Sequence, residues 1–177
     1  TRLYNEVMNY RQTNVVPVYT SPSTSLYGGF WAEGWGYGQQ ATWNEFFSEM
    51  AFANAGWGAG TEGRTWANQV IESLIHCSPT TSSIYNQGDI YSSPPAPFVN
   101  KNVLYAAAAA ATSPTDQGLA NYVIQNWPGP QSNEWSDMLY RNPSAPTINP
   151  STLPTSYYAS GTGLVIARNA WDFNSTW

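Results

Sequence analysis

The segment Gly28-Gly29-Phe30-Trp31-Ala32-Glu33-Gly34-Trp35-Gly36-Tyr37-Gly38 constrains this chain more than any other. Five glycines, four aromatic rings and one carboxylate fall within it and lead straight into a helical pattern. Glycine permits positive φ and close backbone approach. Trp, Phe and Tyr present flat apolar faces with polar edges, and Glu33 and Tyr37 carry groups able to move protons. The combination has the make-up of a sugar-binding cleft rather than a plain linker.

Composition supports a globular reading. Only 10% of the 177 residues are charged, while nine are Trp and twelve are Tyr, which is the opposite of the high-charge, low-hydrophobicity balance of disordered chains. Net charge is −5, and the cations are Arg2, Arg11, Arg64, Lys101, Arg141 and Arg168. With no basic stripe, nucleic acid is excluded as a partner, and a densely sulfated polyanion is an awkward ligand. The single cysteine, Cys77, rules out an internal disulfide and a CxxC metal site. One histidine, His76, cannot build a zinc cluster, so no metal or cofactor is expected. The apolar run Ala106 to Ala111 is too short to span a membrane. The opening residues do not read as a signal peptide, so the chain is expected to be mature, cytosolic or cut from something longer.

The pattern along the chain is mainly helical. Arg2 to Gln12 reads as a short helix ending before Val15-Val16-Pro17, and Pro22 to Gly38 as a long loop. From Gln39 to Ala55, Trp43, Phe46, Phe47, Met50 and Phe52 recur at mostly helical spacing. Thr61 can cap a following helix that buries Trp66, Val70, Ile71 and Leu74 and stops at Pro79. The alanine-rich stretch Asn100 to Ala111 favours helix. Ser113-Pro114-Thr115-Asp116 is a helix-start signature, with a serine cap, proline at the first position and an acid at the third. That helix runs to Trp127, and a short one fits Asn133 to Arg141. Proline-rich residues 143–156 read as an interdomain linker. Gly163 to Arg168 reads as the one convincing strand, and a lone strand is not stable by itself. The expected organisation is therefore a helical segment over 1–142, a linker over 143–156 and the start of a β domain over 157–177, within a larger protein.

Helices separated by short turns and long glycine-rich loops are the local appearance of an α/α toroid. Here the chain resembles the heparinase II/III-like polysaccharide lyases, which include the oligoalginate lyases. Gly29 to Tyr37 is similar to that family's G-x-x-x-E-G-x-x-Y segment, Gln87-Gly88-Asp89 to its N-x-G-D loop, and Tyr158 to Trp177 to its entry into the β domain. The resemblance implies an incomplete α/α toroid followed by an antiparallel β-sandwich. It also implies β-elimination on a uronate-containing polysaccharide or oligosaccharide, in the periplasm or outside the cell, without a cofactor. A base removes the C5 proton, an acid protonates the departing O4, and hydrogen bonding neutralises the carboxylate as an oxyanion hole would. On that resemblance Tyr37 is the family's catalytic tyrosine, the general acid and sometimes also the base, and Glu33 the acidic residue shaping the cleft. Trp31 and Trp35 are sugar platforms, and Asp89 and Arg168 contact substrate. No upstream Asn or His motif is matched, so the remaining groups are expected from upstream toroid helices and a downstream β domain, the rest of the protein's own chain.

Other readings stay open at this point. Tyr37 could anchor a helix start, and Glu33 could accept hydrogen bonds at a helix N-terminus. Trp43, Trp66, Trp127 and Trp135 read as core residues, and His76 with Cys77 as a helix C-terminal pair in which the His favours the dipole. Asp89 could be a cap and Arg168 a structural ion-pair partner, while Asn174-Ser175-Thr176 is a glycosylation sequon. A toroid glycoside hydrolase would need two facing carboxylates, such as Glu33 with Asp89 or Glu62. A noncatalytic glycan-binding or structural module would need only the aromatic platforms.

Overall fold

The computed structural model describes residues 2–56, 62–85, 88, 96–97, 101–128 and 134–173. Asp89, Thr61 and the sequon lie outside the described residues, as does the side chain of Glu62. The fold is mainly helical.

Helix α1 (Arg2–Tyr10) does not stop at Gln12. It continues through a π-helical turn (Arg11–Val15) into α2 (Val16–Thr20). Pro17 has no amide hydrogen, and in a regular α-helix its ring would press on the preceding turn. The wider π turn absorbs this, with the Val16 N–H reaching back to the Arg11 carbonyl. Proline therefore opens α2 rather than ending the run.

The next loop is shorter than its glycines suggest. Helix α3 starts at Trp35 and runs to Asn54, so Trp35 and Tyr37 lie in its first turn. Helix α4 (Glu62–His76) buries Trp66, Val70, Ile71 and Leu74, as the spacing predicts. Helix α5 (Lys101–Ala110) is the centre of the fold and packs against α3, α4, α6 and α7. Its alanines add little bulk, so the neighbouring helices close on it from several sides. Helix α6 (Pro114–Asn126) begins as read: the Ser113 Oγ accepts the Asp116 N–H at 3.2 Å. Helix α7 spans Glu134–Tyr140, and its Ser136 hydroxyl donates to the buried Asn102 of α5.

Two short antiparallel pairs complete the fold. Strand β1 (Ser83–Ile84) pairs with β2 (Ala96–Pro97). The predicted strand near the end is β4 (Leu164–Ala167), and it is not alone: β3 (Ser156–Ala159) pairs with it, Tyr157 opposite Ile166 and Tyr158 opposite Val165. Alternation along the hairpin turns Ala159 and Ile166 inward, while Tyr158 and Val165 face out. Ala159 and Ile166 join the same core as the helices. The proline-rich stretch before the hairpin is packed rather than free. The Ile148 N–H donates to the Gly118 carbonyl of α6 at 2.9 Å, and Pro150 is buried at the start of a 3-10 turn.

Candidate functional site

The aromatic loop is held by two elements, α4 and β3. The Trp66 indole N–H of α4 donates to the Leu26 carbonyl at 2.9 Å, and the Gly28 N–H donates to Gln69 Oε1 at 2.9 Å. From β3, the Tyr157 hydroxyl donates to the Gly28 carbonyl at 2.9 Å, with the Gln69 carbonyl 3.3 Å away. Gly29 has φ +73°, and a Cβ there would collide with the Gln69 backbone, so only glycine lets the loop lie this close to α4. The loop is thus a fixed mount rather than a flexible lid.

What it mounts is a small exposed surface. Phe30 turns inward and meets Trp35 edge-on, ring centres 5.7 Å apart. Trp31 is half-buried and lies against Gly38 in the first turn of α3, where any Cβ would strike the indole. Its indole N–H donates to Glu33 Oε2 at 3.1 Å. Glu33 is exposed, and Tyr37 is 46% exposed. Gly88 joins them from a distant part of the chain: a Cβ there would stand 2.5 Å from the Glu33 carbonyl group. Gly88 therefore meets the aromatic segment Gly29–Tyr37.

Trp35 belongs elsewhere. It is 1% exposed and part of the core, so it offers no face to a sugar. The helix begins at this residue, and its position in the first turn points it inward while Tyr37 points out.

Arg168 is also committed. Its Nη2 donates to the His76 and Ser78 carbonyls at 2.8 and 2.9 Å, with the Ile75 carbonyl at 3.4 Å. The guanidinium lies 3.9 Å from the centre of the Trp171 ring. These carbonyls end α4, so Arg168 is the cation that complements its dipole. His76 does not fill that role. Burial, reinforced by Arg168, holds its imidazole down at about 4, so it is neutral at neutral pH. Its ring stacks on Tyr157 with centres 4.9 Å apart. Burial pushes the Cys77 thiol up to about 12, which makes it inert as a nucleophile.

The other cations are likewise engaged. Arg2 pairs with Glu6 and Arg141 with Asp137 on the surface. Arg64 donates to the Ala110 carbonyl and Lys101 to the Ile124 carbonyl. Arg11, at the head of the π turn, is buried against Glu45 at 2.7 Å and against Glu49, with the Tyr19 hydroxyl 2.9 Å from Glu45 Oε1. Burial and the neighbouring Glu45 push the Tyr19 hydroxyl well above its ordinary range. Sequence reading passed over this network. Its signal is Glu49, which sits three residues after Phe46 on the buried stripe of α3.

A second polar pair was also missed: burial, then the neighbouring Asp116 of α6, pushes the Glu72 carboxyl of α4 up to about 7. Of the tryptophans read as core, Trp66 and Trp127 are buried. Trp135 is 44% exposed and stacks on the half-buried Trp43, ring centres 5.6 Å apart. Among the described residues no group of His, Cys, Asp and Glu is arranged to hold a metal ion, and no helix is long and apolar enough to cross a membrane. The chain matches no family model, no curated protein and no solved structure.

Proposed function

We propose that the aromatic loop and the first turn of α3 form one wall of a glycan-binding cleft in a polysaccharide lyase. The substrate is a uronate-containing glycan cut by β-elimination. The observation that carries this reading is the half-buried Trp31 hydrogen-bonded to the exposed Glu33, with Tyr37 46% exposed in the first turn of the helix that follows, on a loop that α4 and β3 hold in place. Trp31 supplies the sugar platform, its indole edge steered by Glu33. Tyr37, exposed in the first turn of α3, is the general acid that protonates O4 of the leaving sugar. Gly88 lies against the same wall, at the Glu33 backbone. Trp35 and Arg168 take no part in binding.

On this reading the helical hairpins belong to an α/α toroid and the β3–β4 hairpin opens a β-sandwich. The groups that neutralise the uronate carboxylate come from other parts of the same protein, which works in the periplasm or outside the cell. One observation favours a second reading, a noncatalytic glycan-binding module. All six cations are engaged in ion pairs or with backbone carbonyls, and the single histidine is buried and neutral. Neither type is available beside Tyr37 to handle a carboxylate.

Ultraviolet absorbance of the unsaturated uronate left by elimination separates the two. The parent protein should generate that signal from a uronate polysaccharide, and Tyr37→Phe should abolish it while glycan binding survives. Binding without any signal, in wild type and variant alike, would leave the module. New reducing ends without the absorbance would point to hydrolysis.

A further inference from the structure

Helix α3 leads from the aromatic loop to a second cluster of rings. At the helical repeat, Gly38, Tyr37, Gln40 and Trp43 follow one another around α3 in that order. Trp31 lies against Gly38, and Tyr37 and Gln40 are exposed. Trp43 is half-buried and stacks on Trp135 of α7, ring centres 5.6 Å apart and planes 26° from parallel. Trp31 and Trp135 therefore flank the solvent side of α3, separated by roughly the 10–12 Å width of a helix with its side chains.

Trp135 is 44% exposed. Trp43 and Phe47 stand one turn apart on α3 and both meet its ring, Phe47 with centres 5.4 Å apart. They approach from the helix side, so the exposed area of Trp135 lies on the side turned away from α3. A flat ring backed by packed rings and open on its other side can carry the C–H face of a sugar. Gln40 and Asn44, exposed between the two tryptophans, offer amide donors and acceptors for hydroxyl groups. The Trp43 indole N–H is closed off from solvent with no acceptor among the described residues. A phenylalanine would avoid that cost, so stability alone does not account for an indole there. Met138 and Leu139 widen the exposed patch along α7. Three side chains of a seven-residue helix still fall short of the ~800 Å² that each side of a stable protein interface buries.

We propose that Trp135, backed by Trp43, is a second sugar platform of the same cleft, and that one glycan chain crosses α3 from Trp31 past Tyr37 and Gln40 to Trp135. The proposal rests on the glycan-cleft reading of the aromatic loop and adds a length requirement to it. A short oligouronate occupies the Trp31 end alone. A longer one, once held there, meets the second platform as an intramolecular partner and gains affinity without a second free-binding step.

Calorimetric titration of the full chain with a uronate disaccharide and with a hexasaccharide tests this in wild type, Trp31→Ala and Trp135→Ala. Wild type should bind the hexasaccharide about tenfold or more tighter than the disaccharide. In Trp135→Ala that gain should vanish while disaccharide affinity stays at the wild-type level, and in Trp31→Ala both ligands should weaken. Proton–nitrogen NMR of the indole groups is a second readout that stands even where Trp135→Ala fails to fold. The Trp135 signal, assigned with Trp135→Phe, should shift with the hexasaccharide and stay in place with the disaccharide. Equal affinity for both ligands in wild type, or a gain that survives in Trp135→Ala while Trp31→Ala loses binding, would overturn the second platform and leave the cleft. No binding of either ligand to wild type would overturn the cleft reading and the platform with it. Self-association of wild type that Trp135→Ala abolishes, with the length gain intact, would assign this face to a second copy of the chain and overturn the platform.

Discussion

Trp31 lies against Gly38, the fourth residue of α3, where a Cβ would strike the start of the Trp31 side chain. The contact ties the half-buried Trp31 to the start of a twenty-residue helix. Glu33 then fixes the indole edge by accepting its N–H. Two short-range constraints thus set the direction in which the ring faces solvent.

Gly38→Ala follows from this contact. In open space the exchange would stabilise the helix by about 1 kcal/mol. Here the new methyl displaces Trp31, and the overpacking cost of about 1–3 kcal/mol cancels or outweighs that gain. The expected outcome is near-neutral or reduced stability, a changed tryptophan emission spectrum and glycan binding weakened about tenfold, or roughly 1.4 kcal/mol. Emission spectra and a melting curve check the first two, and a binding titration the third.

Arg168→Ala removes charge-assisted hydrogen bonds to the carbonyls that end α4, together with the guanidinium stacked on Trp171. We expect a loss of about 2–3 kcal/mol in denaturant unfolding. Arg168→Lys should recover little of it, because an ammonium lacks the planar fork that reaches several carbonyls while lying on a ring. Full stability in Arg168→Ala would show that water replaces the guanidinium at this helix end.

His76 gives a pH prediction. Its folded value, about 4, lies below its ordinary 6.5, so the unfolded chain binds the extra proton between those values. The stability it contributes is complete above 6.5 and is lost as pH falls toward 4. Stability measured by urea unfolding should drop by about 2 kcal/mol across that window in wild type. In His76→Phe, which preserves a ring against Tyr157, the drop should be clearly smaller.

Much of the helical framework was legible locally. Ser113-Pro114 marks the start of α6 because a cap and a first-turn proline act within four residues. Trp66, Val70, Ile71 and Leu74 mark the buried side of α4 because their spacing follows the helical repeat. The misreadings have a common origin in tertiary context. Pro17 looks like a helix breaker until a π turn accommodates it. Trp31 and Trp35 are equivalent by composition, and only the point at which α3 begins decides which is buried. Arg168 meets its carbonyl partners some ninety residues earlier in the chain, a distance no local pattern encodes. Glu49 and Glu72 lie on stripes that otherwise read as core, where a carboxylate signals a buried partner that the sequence does not name. Of the residues singled out, Trp31 and Glu33 are joined by a hydrogen bond, Gly88 lies at the Glu33 backbone, and Tyr37 is exposed.

The most direct test of the glycan-cleft account is a calorimetric titration of an oligouronate into wild type, Trp31→Ala and Tyr37→Phe. The account predicts saturable binding to wild type, a loss of about tenfold or more in Trp31→Ala, and near wild-type affinity in Tyr37→Phe. Equal affinity in wild type and Trp31→Ala, with both proteins folded, would contradict it, because the sugar would then be bound away from the surface that the aromatic loop presents.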